Sequence, residues 1–152
     1  NKAALVINYF THKKGIFKTK LNKLLFYADF GSFKHTGFSL TGISYRAIQR
    51  GPVPSEYDKM YDKLRDDKII EIKEIEVGDG NYGETIVAVK PFNENVLSRL
   101  EKEILEHVEK KFLKLKTTEL VDKSHEEKAW ANNEKHRGLI SYQKYAFDLK
   151  NL

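Results

Sequence analysis

Chemistry in this sequence is soonest tested at His125-Glu126-Glu127-Lys128-Ala129, which opens like the zinc-binding helix His-Glu-x-x-His. That helix needs a second imidazole one turn on, and position 129 is alanine, so the ligand pair is incomplete. His12, His35, His107, His125 and His136 are scattered without metal-ligand spacing, and no metal site is expected. The glycines of Gly78-Asp79-Gly80-Asn81-Tyr82-Gly83 lack the Lys-Ser/Thr that closes a phosphate loop and read as a hairpin turn. Asp66-Asp67 and Glu126-Glu127 pair carboxylates within charged runs, where solvation is the expected role. No nucleophile-elbow pattern surrounds a serine, and the absence of cysteine removes thiolate chemistry and disulfides. Neither an enzymatic activity nor a cofactor is expected.

Two clusters stand out instead. In Lys18-Thr19-Lys20-Leu21-Asn22-Lys23-Leu24-Leu25-Phe26-Tyr27-Ala28, three lysines accompany an apolar helical stripe. In Arg50-Gly51-Pro52-Val53-Pro54-Ser55-Glu56-Tyr57, two prolines one residue apart fix φ and push their predecessors out of the helical region. The second cluster reads as a rigid loop, suited to presenting a fixed surface or to turning the chain tightly.

The elements that must position these clusters follow from periodicity. A short buried helix is expected over residues 3–10. A central helix is expected over 19–35, where Leu21, Leu24, Leu25 and Ala28 form the i, i+3, i+4, i+7 stripe and Thr36-Gly37 ends it. Residues 38–50 read as extended or irregular. A helix follows over 55–67, with Ser55 as its N-cap and Tyr57, Met60, Tyr61 and Leu64 on one face. Residues 69–77 alternate apolar and charged with a phase slip between Ile72 and Ile75, which predicts a bulged strand. With 85–89 they make a hairpin, stopped by Pro91. The longest helix is expected over 94–115, a shorter one over 118–129, and a last one capped by Ser141 through Leu149. The fold class is α+β, mainly α-helical, with one small antiparallel hairpin or sheet inserted mid-chain.

The 152 residues fit a single domain spanning 1–152. Nine Phe, eight Tyr and one Trp offset a modest apolar content of 40% and supply a core. No apolar run approaches the roughly 20 residues that span a bilayer, and Lys2–Phe10 is too short and too broken by Asn8 for a signal peptide. A cytoplasmic address is expected, with no membrane partner. The net charge of +5 is unevenly spread: residues 1–50 carry nine Lys/Arg against the single acid Asp29. That asymmetry suits an acidic partner, either nucleic acid or an acidic protein face.

At both clusters the sequence resembles the Panacea (SocA-like) antitoxin domain. Lys20 to Ala28 is similar to the family's K-L-x-K-L-L-Y-Y-A helix, and Gly37-Phe38-Ser39-Leu40-Thr41 to its G-x-x-L segment. Arg50 to Tyr57 is similar to its G-P-V-x-P-x-x-Y signature, with the second proline one place closer. Leu120, Ser124-His125 and Ala129-Trp130 resemble its S/T-H-x(n)-W stretch. The order and approximate spacing agree over nearly the whole chain.

The resemblance implies a mainly helical domain that serves as the antitoxin of a toxin–antitoxin operon, often phage-linked, neutralising a cognate protein toxin by direct contact. Family members often carry a DNA-binding domain on the N-terminal side, and the start at Asn1 without Met is compatible with one; DNA contact is expected through such a separate domain. The partner-binding candidates are the signature residues expected to be exposed: Lys20, Lys23, Tyr27, Arg50 and Tyr57. Gly51, Pro52, Val53 and Pro54 would shape the loop, and His125 and Trp130 would pin the C-terminal helices together. The alternative is a nucleic-acid-binding, transcription-regulating domain that uses the basic first third. The toxin's identity and the oligomeric state lie beyond the sequence.

Overall fold

The computed structural model describes residues 2–152. Helix α1 (Lys2–Thr11) leads through a two-residue strand, β1 (Ile16–Phe17), into the central helix α2 (Lys18–Thr36). Every residue of α2 from Leu21 to Ser32 is buried. The apolar stripe therefore does not mark the only covered face, because the helix is enclosed on all sides. Gly37 ends it at φ +79°, donating its N–H to the Phe33 carbonyl at 2.8 Å.

Within this core sits one carboxylate, Asp29. It accepts from the Thr41 N–H at 2.8 Å and from the Thr41 and Tyr45 hydroxyls, both at 2.6 Å, tying the segment after α2 back to the helix. Burial raises its pKa, and these hydrogen bonds oppose the rise.

The expected rigid loop is in fact a strand. β2 (Tyr45–Ile48) pairs antiparallel with β3 (Gly51–Pro54), joined at Gln49-Arg50, with Tyr45 opposite Pro54 and Ala47 opposite Pro52. The backbone shows why prolines are tolerated. Ala47 donates to the Gly138 carbonyl and Tyr45 accepts from Ile140, so these residues turn their backbone groups away from β3. The prolines opposite them lack an N–H only where no ladder bond is called for. Ser55 continues this ladder, donating its N–H to Ser44 at 2.8 Å. It is therefore not the N-cap of α3 (Tyr57–Asp66); Glu56 holds that place, without a side-chain capping bond.

The second sheet has three antiparallel strands in the order β1-β5-β4, with β4 spanning Ile70–Gly78 and β5 spanning Asn81–Ala88. Asp79 and Gly80 close the hairpin at φ +50° and +75°, the geometry of a two-residue turn with both angles positive. The register irregularity lies at Glu76/Gly78, not between Ile72 and Ile75. The apolar phase slips because the hairpin outruns the core: Ile75 and Val77 are exposed.

The fourth helix is shorter than its periodicity suggests. A 3₁₀ turn covers Glu94–Val96, and α4 spans Arg99–Phe112, leaving α2 as the longer helix. Ser98 accepts from the Glu101 N–H, while Glu101 accepts from the Ser98 N–H, a reciprocal capping box. Ser98→Ala is expected to cost about 1 kcal/mol in urea unfolding. The C-terminal third breaks into α5 (Thr117–His125), α6 (Lys128–Ala131) and α7 (Tyr142–Tyr145), the last capped by Ser141 as expected. The architecture is mixed α+β and mainly helical, with both small sheets packed about α2. Among the described residues no helix is long and apolar enough to cross a membrane.

Candidate functional site

Three segments far apart in sequence meet on one side of α2. Gly51 begins β3 at φ +106°, a conformation that costs glycine little and other residues much. Its Cα faces two side chains. A Cβ there would lie 2.5 Å from Lys23 Cε and 2.5 Å from Ser124 Oγ. The α2 cluster, the Gly-Pro-Val segment and the Ser-His stretch thus touch at a single residue without a side chain.

Around that contact the C-terminal helices are fastened to the hairpin. His125 and Trp130 stack with ring centroids 3.9 Å apart, and the Trp130 indole N–H donates to the Ile48 carbonyl at 2.6 Å. Their role is broader than joining the last helices to each other, because the indole also holds β2. One turn further along the same face of α2, the Tyr27 hydroxyl donates to Glu127 at 2.8 Å, and its ring stacks on Phe112. The same carboxylate accepts from the Lys150 N–H at 2.7 Å and from both the backbone and side-chain amides of Asn151. Glu127 is 1% exposed, so its expected place in a solvated run is corrected. It is a buried acceptor that binds the C-terminus to α2.

The five partner-binding candidates divide sharply. Lys23 and Tyr27 are fully buried, which corrects their expected exposure. Lys20 is half-buried, its ammonium donating to the carbonyls of Leu113 and Leu115 at 2.5 Å each, where it closes the C-terminal end of α4. Arg50 is exposed in the β2–β3 turn, and Tyr57 is half-buried at the start of α3. Of the loop-shaping residues, Gly51, Pro52, Val53 and Pro54 are all buried.

Arg50 stands between two depressions. One is a cleft of about 240 Å³ walled by Lys18, Asn22, Lys23, Tyr57 and Asp58. The other is a groove of about 730 Å³ running towards the β4–β5 tip, past Val77 and Tyr82. Both of these tip residues are largely exposed.

Lys23 is the most unusual group here. Among the described residues its Nζ has no hydrogen-bond partner, although it is buried. Burial, aided by the nearby Arg50 charge, lowers its pKa to about 7. His125 Nε2 is also buried without a partner; burial lowers the imidazole pKa, Lys23 adds to that fall, and a backbone hydrogen bond with Gln49 opposes it.

The basic first third does not form an open patch. Lys2 pairs with Glu101, Lys18 with Glu84 and Asp58, and Lys34 and Arg46 donate to the carbonyls of Leu152 and Arg137. With Lys20 and Lys23 held as described, six of the nine cations in residues 1–50 are fixed by the fold or by an acid, although only Lys2 and Lys18 are neutralised by carboxylates. Among the described residues no group of three or more His, Asp or Glu stands close enough to hold a metal ion.

A family model described as antitoxin SocA-like, Panacea domain, matches residues 21–131. The chain belongs to the SocA-like Panacea antitoxin family. The matched span begins at Leu21 in α2 and ends at Ala131 in α6, so it encloses all three segments that meet at Gly51. Comparison with curated proteins and with solved structures yields no match. In this Panacea chain the signature residues Lys23, Gly51 and Ser124 form the interior of one junction, and Arg50 and Tyr57 form its rim.

Proposed function

We propose that this chain is the antitoxin of a toxin–antitoxin pair, acting in the cytoplasm without enzymatic chemistry, and that it neutralises its toxin by direct contact through the rim of the Gly51 junction. One observation carries the placement. The buried signature residues fix the β2–β3 turn against α2, and the side chains left outward include Arg50 and the half-exposed Tyr57, with Tyr82 and Val77 across the groove from Arg50. Tyr and Arg are the side chains that most often dominate binding energy at an interface centre, whereas Lys is depleted there. A stiff turn also loses little conformational freedom on binding.

Co-expression with the adjacent open reading frame tests this reading. The neighbour is expected to arrest growth alone and to be tolerated when this chain is present. Arg50→Glu with Tyr57→Ala is expected to abolish the rescue, while Arg50→Glu alone shifts stability by only about 0.5 kcal/mol, as surface changes do. A harmless neighbour, or one that stays toxic beside the wild-type chain, contradicts the proposal. The nucleic-acid reading draws less support, because most lysines of the first third are already engaged. Little retardation is expected in a gel shift at low salt, where phosphate binding would be strongest.

A further inference from the structure

The cleft beside Arg50 contains a charge arrangement that the fold leaves incomplete. Its two acids, Asp58 and Glu84, both face Lys18, at 3.6 and 2.9 Å. Among the described residues Arg50 has no ion pair, and the buried Lys23 Nζ, close enough to feel the Arg50 charge, has no hydrogen-bond partner. Lys23 and Arg50 thus wall one cleft whose two acids are both engaged by Lys18. A buried polar group normally finds a hydrogen-bond partner. The cleft's volume of about 240 Å³ exceeds a single water's share of roughly 30 Å³ several-fold, enough for a phosphate-sized group and some solvent.

We propose that this cleft is a binding site for a small oxyanion, a phosphate or carboxylate group held between the Lys23 amine, buried in its wall and protonated as the anion arrives, and the Arg50 guanidinium at its mouth. Asn22 and Tyr57 line the same space and define its sides. Arg50 suits this place because its planar fork matches an oxyanion in two bonds at once. The site does not depend on the antitoxin reading. It adds a way for a small metabolite to act on the junction, since an anion bound there would set a charge beneath the Gly51 turn.

The anion also changes protonation. Lys23, with its pKa lowered to about 7, is mostly neutral at pH 8, so an arriving anion draws a proton onto it. Binding is therefore expected to take up close to one proton at pH 8 and to weaken as the pH rises further.

Inorganic phosphate and succinate serve as probes, titrated into the full chain at pH 8. Calorimetry in two buffers of different ionisation enthalpy reads the proton uptake. The single Trp130, stacked on His125 near Lys23, reports by fluorescence. The expected result is saturable binding of at least one probe with proton uptake, weakened at least tenfold in Arg50→Met and in Lys23→Met but not in Lys13→Met. Should Lys23→Met not fold, the Arg50→Met variant and the proton count decide. No saturable binding of either probe, binding without proton uptake, or full binding by Arg50→Met would each overturn the proposal. No toxin enters the experiment, so its failure and that of the antitoxin reading are separately visible.

Discussion

Gly51→Ala is expected to destabilise the fold by about 3 kcal/mol or more and to abolish neutralisation with it. Two independent costs meet at this position. Its φ of +106° is strained for any residue with a Cβ, worth about 1–3 kcal/mol. The new methyl would also stand 2.5 Å from Lys23 Cε and Ser124 Oγ, and forcing extra volume into a packed site costs about 1–3 kcal/mol more. Gly42→Ala supplies the comparison, because Gly42 has φ +76° but nothing within 4 Å of its would-be Cβ. Urea unfolding of both variants separates strain from contact. The alanine at 51 should lower the midpoint far more than the alanine at 42, and equal losses would show that the Lys23–Gly51–Ser124 junction is not tightly packed.

The second large effect concerns Lys23. A lysine whose folded pKa is about 7, against an ordinary value of 10.5, binds fewer protons folded than unfolded between those values. Stability contributed through this group therefore rises with pH across that window, by up to about 1.4 kcal/mol per pH unit. The penalty for a buried ammonium is fully present below pH 7 and fades as the pH approaches 10.5. Lys23→Met removes it, so the variant is expected to exceed the wild type by several kcal/mol at pH 6, on the order of the penalty itself, with the gap closing towards pH 10. Near and above pH 10 a reverse trend enters both proteins, because burial raises the pKa of Tyr27, Tyr45 and Tyr61 and the folded state then holds the extra protons. Chemical denaturation at several pH values reads the gap directly. Parallel curves for the two proteins would mean that Lys23 keeps an ordinary pKa.

Both predictions concern residues whose types were visible in the sequence while their roles were not. The stripe Leu21, Leu24, Leu25 and Ala28 and the stop at Gly37 placed α2 correctly, because helical period and a left-handed cap are local facts. Local grammar also assigns one face to the core and the rest to water, and there it misled. Lys23 and Tyr27 are covered by segments about a hundred residues away: Ser124 meets the same Gly51 position as Lys23, and Glu127 takes the Tyr27 hydroxyl.

Glu127 failed for the same reason, since a carboxylate in Glu126-Glu127-Lys128 looks solvated until the returning C-terminus supplies the amides of Lys150 and Asn151. The prolines of β3 read as a loop because proline disfavours strands in general. Only the pairing register shows that positions 52 and 54 need no donor. By contrast, two features are local enough to be legible: the Ser98-x-x-Glu101 box that starts α4 late, and Asp29, the one acid among the first fifty residues and placed within an apolar helix. Arg50 and Tyr57 were legible through the signature itself, and they remain the exposed and half-exposed members of it.

The proposed toxin contact is tested most directly by hydrogen exchange on this chain in complex with the product of the adjacent open reading frame, against the free chain. Added protection is expected at the β2–β3 turn, the start of α3 and the β4–β5 tip around Tyr82, with α4 and α7 unchanged. Protection confined to α4 or α7, with the Arg50 turn exchanging as it does in the free protein, would contradict the account.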